Sequence, residues 1–159
     1  MKHGHQAGVT LLELMILIAI IAIIVTIAVP NLSSMTKDNA VQAQAEEFNA
    51  LLQYARSHAA TNRRSTDVVI DAASGKLDVM SGTVVLRTAT LNTGGVKLNP
   101  SAAKVTFRTN GTSLTGAFRA TVCSESEASR GFVISVLASG RTTLHPRGKD
   151  ENGNNLGGC

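Results

Sequence analysis

Apolar positions in this chain follow three different rules. Between Gly8 and Pro30 they are almost continuous, and from Leu14 to Val29 every residue is apolar except Thr26. From Val41 to Ala59 they recur at steps of three and four, at Val41, Ala45, Phe48, Leu52, Ala55 and Ala59. Lys37, Asp38, Glu46, Glu47, Asn49, Gln53, Arg56 and Asn62 fall largely off that line. The first rule predicts a helix apolar all round, the second an amphipathic helix with one buried face. Pro30 lacks an N–H and crowds the preceding turn, so a kink or local opening is expected there before the helix resumes and runs to about Thr61.

Past about residue 65 the apolar residues come in short, valine-rich runs, which predicts strands. These are 66–71 (TDVVID), 76–80 (KLDVM), 83–88 (TVVLRT), 104–109 (KVTFRT), 113–123 (SLTGAFRATVC), 132–137 (FVISVL) and 141–145 (RTTLH). Asn110-Gly111 joins two of them, a strong short hairpin signal, and Ala138 to Gly140 joins another pair. The Gly, Asn and Pro content of 92–101 predicts a loop. The expected class is α+β, a single long N-terminal helix packed on antiparallel strands. Its parts are residues 1–8, the apolar helix 9–30, the amphipathic half 31–62 and a β domain 63–159.

Composition sharpens this in two ways. Only four Phe and one Tyr are present, so the core is built from Val, Leu, Ile and Ala and gains from any added constraint. Two cysteines, Cys123 and Cys159, fit no zinc spacing. In an oxidising compartment a disulfide between them is the natural reading, contributing about 4 kcal/mol by chain entropy. The tail 148–159 has almost no apolar side chains, which makes Cys159 its expected sole firm tether. The net charge of +4 comes from 15 basic and 11 acidic residues with no long run of one sign. Scattered charge of this kind describes a solvated surface better than a nucleic-acid footprint.

The segment 1–8 is polar and weakly basic, followed at once by the apolar run, in the order of a signal peptide. The run is longer than a secretory core and lacks a small-x-small site after it. As a membrane helix, Val9 to Val29 rises about 31 Å, near the hydrocarbon thickness of a bilayer. Lys2 favours placing the rest of the chain outside the cytoplasm, where a disulfide is permitted. Glu13 is the awkward residue, because a carboxylate inside a bilayer costs about 2.5–3.5 kcal/mol on insertion scales. It could snorkel to the interface. If the chain is cut between Gly8 and Val9, the new α-amino group and Glu13 lie one helical turn apart, within the chain or between neighbours.

Gly8, the following Val-Thr-Leu-Leu-Glu, the long apolar run and Pro30 together resemble the class III signal of type IV pilins and type II secretion pseudopilins. Val9 departs from the Phe or Met more usual at its position. Two later segments, 51–63 (LLQYARSHAATNR) and the strand-turn-strand from Gly131 to Arg141, resemble the GspH/FimT/FimU group. The resemblance implies a type IV pilin fold, cleavage between Gly8 and Val9 by a prepilin peptidase, and N-methylation of Val9. It further implies a filament-core role for Glu13 and Pro30. The implied protein is a minor pilin priming assembly at or near a pilus tip, where it serves twitching motility. It would be held in a bacterial inner membrane with its C-terminal domain in the periplasm, then carried into the filament. Its implied partners are other minor and major pilins and the inner-membrane assembly platform. A type II secretion minor pseudopilin is the neighbouring alternative. Pairing of Cys123 with Cys159 is reminiscent of FimU-like minor pilins and leans toward the pilus.

No catalytic motif is present, and no cofactor or metal is expected. His58 and His145 are expected to be surface residues. Some FimT-type pilins bind DNA through a C-terminal Gly-Arg-x-Arg motif. Here Gly140-Arg141 keeps the first arginine and loses the second, with Arg147 and Lys149 just beyond. Those three cations are the candidate DNA contacts, set against a plain basic turn at the end of a hairpin.

Overall fold

The computed structural model describes residues 10–91, 95–124 and 127–159. One helix, α1 (Leu11–Asn62), is followed by eight strands. These are β1 (Thr66–Asp71), β2 (Lys76–Ser81), β3 (Val84–Thr90), β4 (Val96–Pro100), β5 (Lys104–Phe107), β6 (Phe118–Ser124), β7 (Phe132–Val136) and β8 (Thr142–Leu144), with one 3-10 turn at Ala128–Arg130. The chain divides into two compact units, one ending at Thr36 and one spanning Lys37–Cys159.

In the second unit the strands form two antiparallel four-stranded sheets, ordered β3-β2-β1-β5 and β4-β6-β7-β8. The helical residues predicted to face inward, Val41, Ala45, Phe48, Leu52, Ala55 and Ala59, are all fully buried. They pack with Val68, Leu77, Val79, Val105, Phe107, Val122 and Ile134 from both sheets. Phe48 meets Phe118 edge-to-face at 6.3 Å, a geometry that adds about 0.5–1.5 kcal/mol to the area term. The strand β1 alternates buried and less buried residues as a half-covered strand should. In contrast β7 is buried on both faces, because the C-terminal tail covers the side away from α1: Leu156, 8% exposed, lies with Cys123 and Val133.

Two sequence expectations require correction. The segment 92–101, expected as a loop, contains β4, whose Val96 and Leu98 are buried while Lys97 and Asn99 are exposed. Its Pro100 is tolerated because β4 is an edge strand, with a free side that requires no N–H. Asn92, Thr93 and Gly94 of that segment lie outside the described residues. The expected strand 113–123 forms only from Phe118. Ser113 makes a single bridge to Phe107, after which Gly116 (φ +80°) turns the chain out of strand geometry.

Two hairpin turns of the same build close against each other. In the first, Gly111 N–H donates to Arg108 O and Arg108 N–H to Thr112 O, both at 2.8 Å. In the second, Gly140 N–H donates to Leu137 O at 2.8 Å and Leu137 N–H to Arg141 O at 2.9 Å. Each is a three-residue loop whose last position is a glycine in the left-handed region, Gly111 at +77° and Gly140 at +77°. Asn110 secures the first through its carboxamide oxygen, which accepts the N–H and hydroxyl of Thr112. The turns touch where the Cα of Gly140 faces the Gly111 carbonyl, leaving no room for a side chain. That carbonyl also accepts the Nε–H of Arg56 from α1 at 3.1 Å. One helical side chain thereby pins both turns.

Candidate assembly surface

The first turn of α1 explains part of what Glu13 does. Thr10 precedes the helix, and its hydroxyl oxygen accepts the backbone N–H of Glu13 at 3.2 Å. The Thr10 carbonyl accepts the N–H of Leu14 at 3.2 Å. Thr10 is an N-cap and Glu13 is the third helical residue, the T-x-x-E spacing of a capping box. A carboxylate there also sits at the positive end of the helix dipole. The signal for this local role is the T-x-x-E spacing of Thr10-Leu-Leu-Glu13 itself, alongside lipid, interface and amine as surroundings for Glu13. Gly8 and Val9, the expected cleavage and methylation positions, lie outside the described residues.

From Leu11 to Met35 the described large apolar side chains are exposed throughout. The stretch is long and apolar enough to cross a bilayer. The one polar residue between Leu14 and Val29 is satisfied within the helix: the Thr26 hydroxyl donates to Ile23 O at 2.7 Å. The Thr36 hydroxyl does the same with Ser33 O at 2.9 Å. The helix continues through Pro30, so the opening expected there does not interrupt it. The cost is one intrahelical bond, the N–H that Thr26 O would otherwise accept.

In the second unit, Cys123 and Cys159 form the expected disulfide, with Cα atoms 6.1 Å apart across a sequence separation of 36. The bridge crosses close over Gly131, where a Cβ would come within 2.6 Å of Cys123 Sγ. Glycine at 131 is therefore a requirement of the crossing. The disulfide is not the sole tether of the tail, contrary to the sequence expectation. Leu156 is buried, its N–H donates to Gly148 O at 2.8 Å, and Gly148 N–H donates to Gly131 O at 2.8 Å.

The three candidate DNA cations do not share one role. Arg147 pairs with Asp38 at 3.2 Å, a carboxylate it divides with Arg130 at 3.4 Å. Its guanidinium also lies 5.7 Å from the Phe132 ring centre. Lys149 donates to the Asn155 carboxamide oxygen at 2.9 Å. Arg141 is exposed. His58 and His145 are half-buried, more engaged than surface residues: His58 Nδ1 bonds Thr66 Oγ1 at 3.1 Å and His145 Nε2 bonds Ser135 Oγ at 2.8 Å.

The chain and its fold have relatives among known proteins. A family model described as type II transport protein GspH matches residues 44–140, more than half of the chain. The fold is similar to the type IV minor pilin FimU of Pseudomonas aeruginosa, with a TM-score of 0.63 and 27% identity over 70% of this chain and 92% of that one. It is similar also to the minor pseudopilin EpsH of the type 2 secretion system of Vibrio cholerae, with a TM-score of 0.55 and 14% identity over 66% of this chain and 95% of that one. At that identity the second likeness is one of fold. No individual curated protein sequence matches.

Proposed function

The chain belongs to the GspH family of minor pilins and pseudopilins, and from that premise we propose that it serves a type IV pilus, as a minor subunit that primes assembly and sits at or near the tip. The observation that carries the choice of system is the likeness to FimU at 27% identity, where the secretion pseudopilin EpsH reaches 14%. The family is one of structural subunits, and the exposed apolar stretch of α1 suits one: lipid covers it before assembly and neighbouring subunits cover it afterwards. In this reading a prepilin peptidase cuts between Gly8 and Val9 and methylates Val9. The inner-membrane platform then passes the chain to other minor and major pilins. Glu13 neutralises the Val9 amine of its own chain or of the subunit ahead, while its N–H keeps the Thr10 cap.

Deleting the gene in its host and scoring surface pili against protein secretion separates the two systems. Lost piliation and twitching with normal secretion is the expected result, and the reverse overturns the choice. Mass spectrometry of the mature chain checks the processing, with a methylated Val9 at its N-terminus expected. DNA uptake through Arg141, Arg147 and Lys149 has less support, since Arg147 is ion-paired to Asp38. A salt-sensitive gel shift abolished by neutralising those three residues is the result that would restore it.

A further inference from the structure

The two cysteines of the one bridge stand in very different surroundings. Cys123 is 2% exposed and enclosed with Val133, Leu156 and Ala128. Gly131 lies so close that a Cβ there would stand 2.6 Å from Cys123 Sγ. Cys159 is exposed. Gly157 and Gly158, which carry it, have open space where a Cβ would stand. A cleft of about 550 Å³ opens beside it, bordered by Cys159 together with Ser101, Thr121 and Gly158, and not by Cys123.

A thiolate that opens a disulfide must reach one of the two sulfurs, so access decides which one is attacked. Burial closes Cys123 to that approach, whereas the glycine strap and the cleft leave Cys159 open. The consequence of attack is also set by the fold. The N–H of Leu156 is held by Gly148 O and the N–H of Gly148 by Gly131 O, bonds in which the bridge takes no part. Opening the bridge therefore releases the chain only from Gly157 onward, and Leu156 stays seated.

We propose that Cys159 is a thiol-exchange site, the sulfur through which a thiol of another molecule opens the bridge and forms a mixed disulfide while the domain stays folded. The attacking thiolate forms a bond to Cys159 Sγ and the Sγ–Sγ bond breaks. Its electron pair leaves on Cys123 Sγ, which takes a proton from solvent. Attack by Cys123 on Cys159 Sγ reverses the step and expels the incoming thiol. The reactant is a reduced thiol, supplied either by a small molecule or by a dithiol protein. The proposal holds for a pilus or a pseudopilus alike.

The full chain in detergent micelles, its bridge intact, is incubated with reduced glutathione. A parallel arm uses reduced thioredoxin whose second active-site cysteine is changed to serine. Samples are quenched in acid, digested with pepsin and mapped by mass spectrometry. Adduct on Cys159 is expected at least about tenfold above adduct on Cys123, with Cys123 recovered as the free thiol. Unfolding in urea beforehand should bring the two cysteines within about twofold, since neither is then shielded. Leu156→Ala, which uncovers Cys123, should raise its share of the adduct. Adduct with glutathione alone assigns the site to small thiols, and adduct with both probes extends it to protein thiols. Single-cysteine variants treated with oxidised glutathione give a check that needs no trapping. Cys159 in Cys123→Ser should be modified at least about tenfold faster than Cys123 in Cys159→Ser. Adduct mainly on Cys123, equal shares in the folded protein, or loss of the bridge with no adduct on Cys159 overturns the proposal.

Discussion

Replacing Gly140 by alanine tests the paired turns more directly than any other change. Two costs are expected, and the structure separates them. Holding an L-residue at φ +77° costs about 1–2 kcal/mol, because its Cβ crowds the following carbonyl. The added methyl also meets the Gly111 carbonyl oxygen, which Arg56 Nε–H holds, and would crowd Arg56 Nε itself at 3.2 Å. Forcing a group into such a filled site costs about 1–3 kcal/mol more. The total is about 2–5 kcal/mol, which at a urea m-value near 2 kcal/mol/M lowers the midpoint by about 1–2.5 M. Gly153 supplies the control. Its φ is +83° and nothing lies within 4 Å of a Cβ placed there, so Gly153→Ala carries the backbone cost alone. Urea unfolding of the unit Lys37–Cys159, followed by circular dichroism, compares the two variants. Equal destabilisation by both would refute the packing argument and leave Gly140 as an ordinary turn glycine.

Further outcomes follow from the tail, the first sheet and the first helical turn. Reducing the Cys123–Cys159 bridge should lower stability by up to about 4 kcal/mol in the chain-entropy model. Leu156→Ala should cost about 2–3 kcal/mol with the bridge intact, both read by urea midpoint; no effect from Leu156→Ala would return the disulfide to sole tether. Hydrogen bonds from Lys76 and Thr88 hold the Asp78 carboxyl below its ordinary range, and bonds from Ser74 and Ala73 do so for Asp71. Stability from these two groups is therefore complete above about pH 4, the unfolded carboxylate value, and is lost as pH falls through the lower folded values. Asp78→Asn should flatten that acid limb in urea midpoints taken against pH. Glu13→Ala should leave membrane insertion intact and reduce incorporation into filaments, scored by shearing and immunoblot; normal incorporation would remove Glu13 from the assembly role. Thr10→Ala removes the cap alone, and should cost the helix end about 1 kcal/mol in amide-exchange protection near Leu14.

What the sequence made legible was whatever repeats along the chain. The helical face from Val41 to Ala59 is periodic over many turns, and all six of its inward residues are buried. Strand β1 and the start of β2 were equally plain, since their valine runs end at turn residues. β4 was hidden because Val-Lys-Leu-Asn-Pro carries only two apolar residues amid Gly, Asn and Pro, and becomes a strand by pairing with β6. Leu156 gave no signal for the same reason: a lone leucine in a polar tail acquires meaning only from Val133 and Cys123, distant in sequence. The candidate site divides likewise. Glu13 announced itself as a charge in an apolar run, and its Thr10 cap follows from a four-residue spacing. The crossing of the Cys123–Cys159 bridge over Gly131 exists only in the folded chain, which no linear pattern reveals.

The hydroxyl of Thr26, closed onto Ile23 O, has a consequence for how such a subunit can travel. A helix whose internal hydroxyl is already partnered by its own backbone presents hydrocarbon to every neighbour. Lipid tails and the leucines of an adjoining helix are then nearly equivalent solvents for it. Leaving one for the other breaks no hydrogen bond and exposes little new surface to water. The exchange is close to thermoneutral over Leu14–Val29, so this stretch allows passage in both directions without biasing either. Direction must come from what flanks this stretch in the chain: the charge at Glu13 and the folded unit that begins at Lys37.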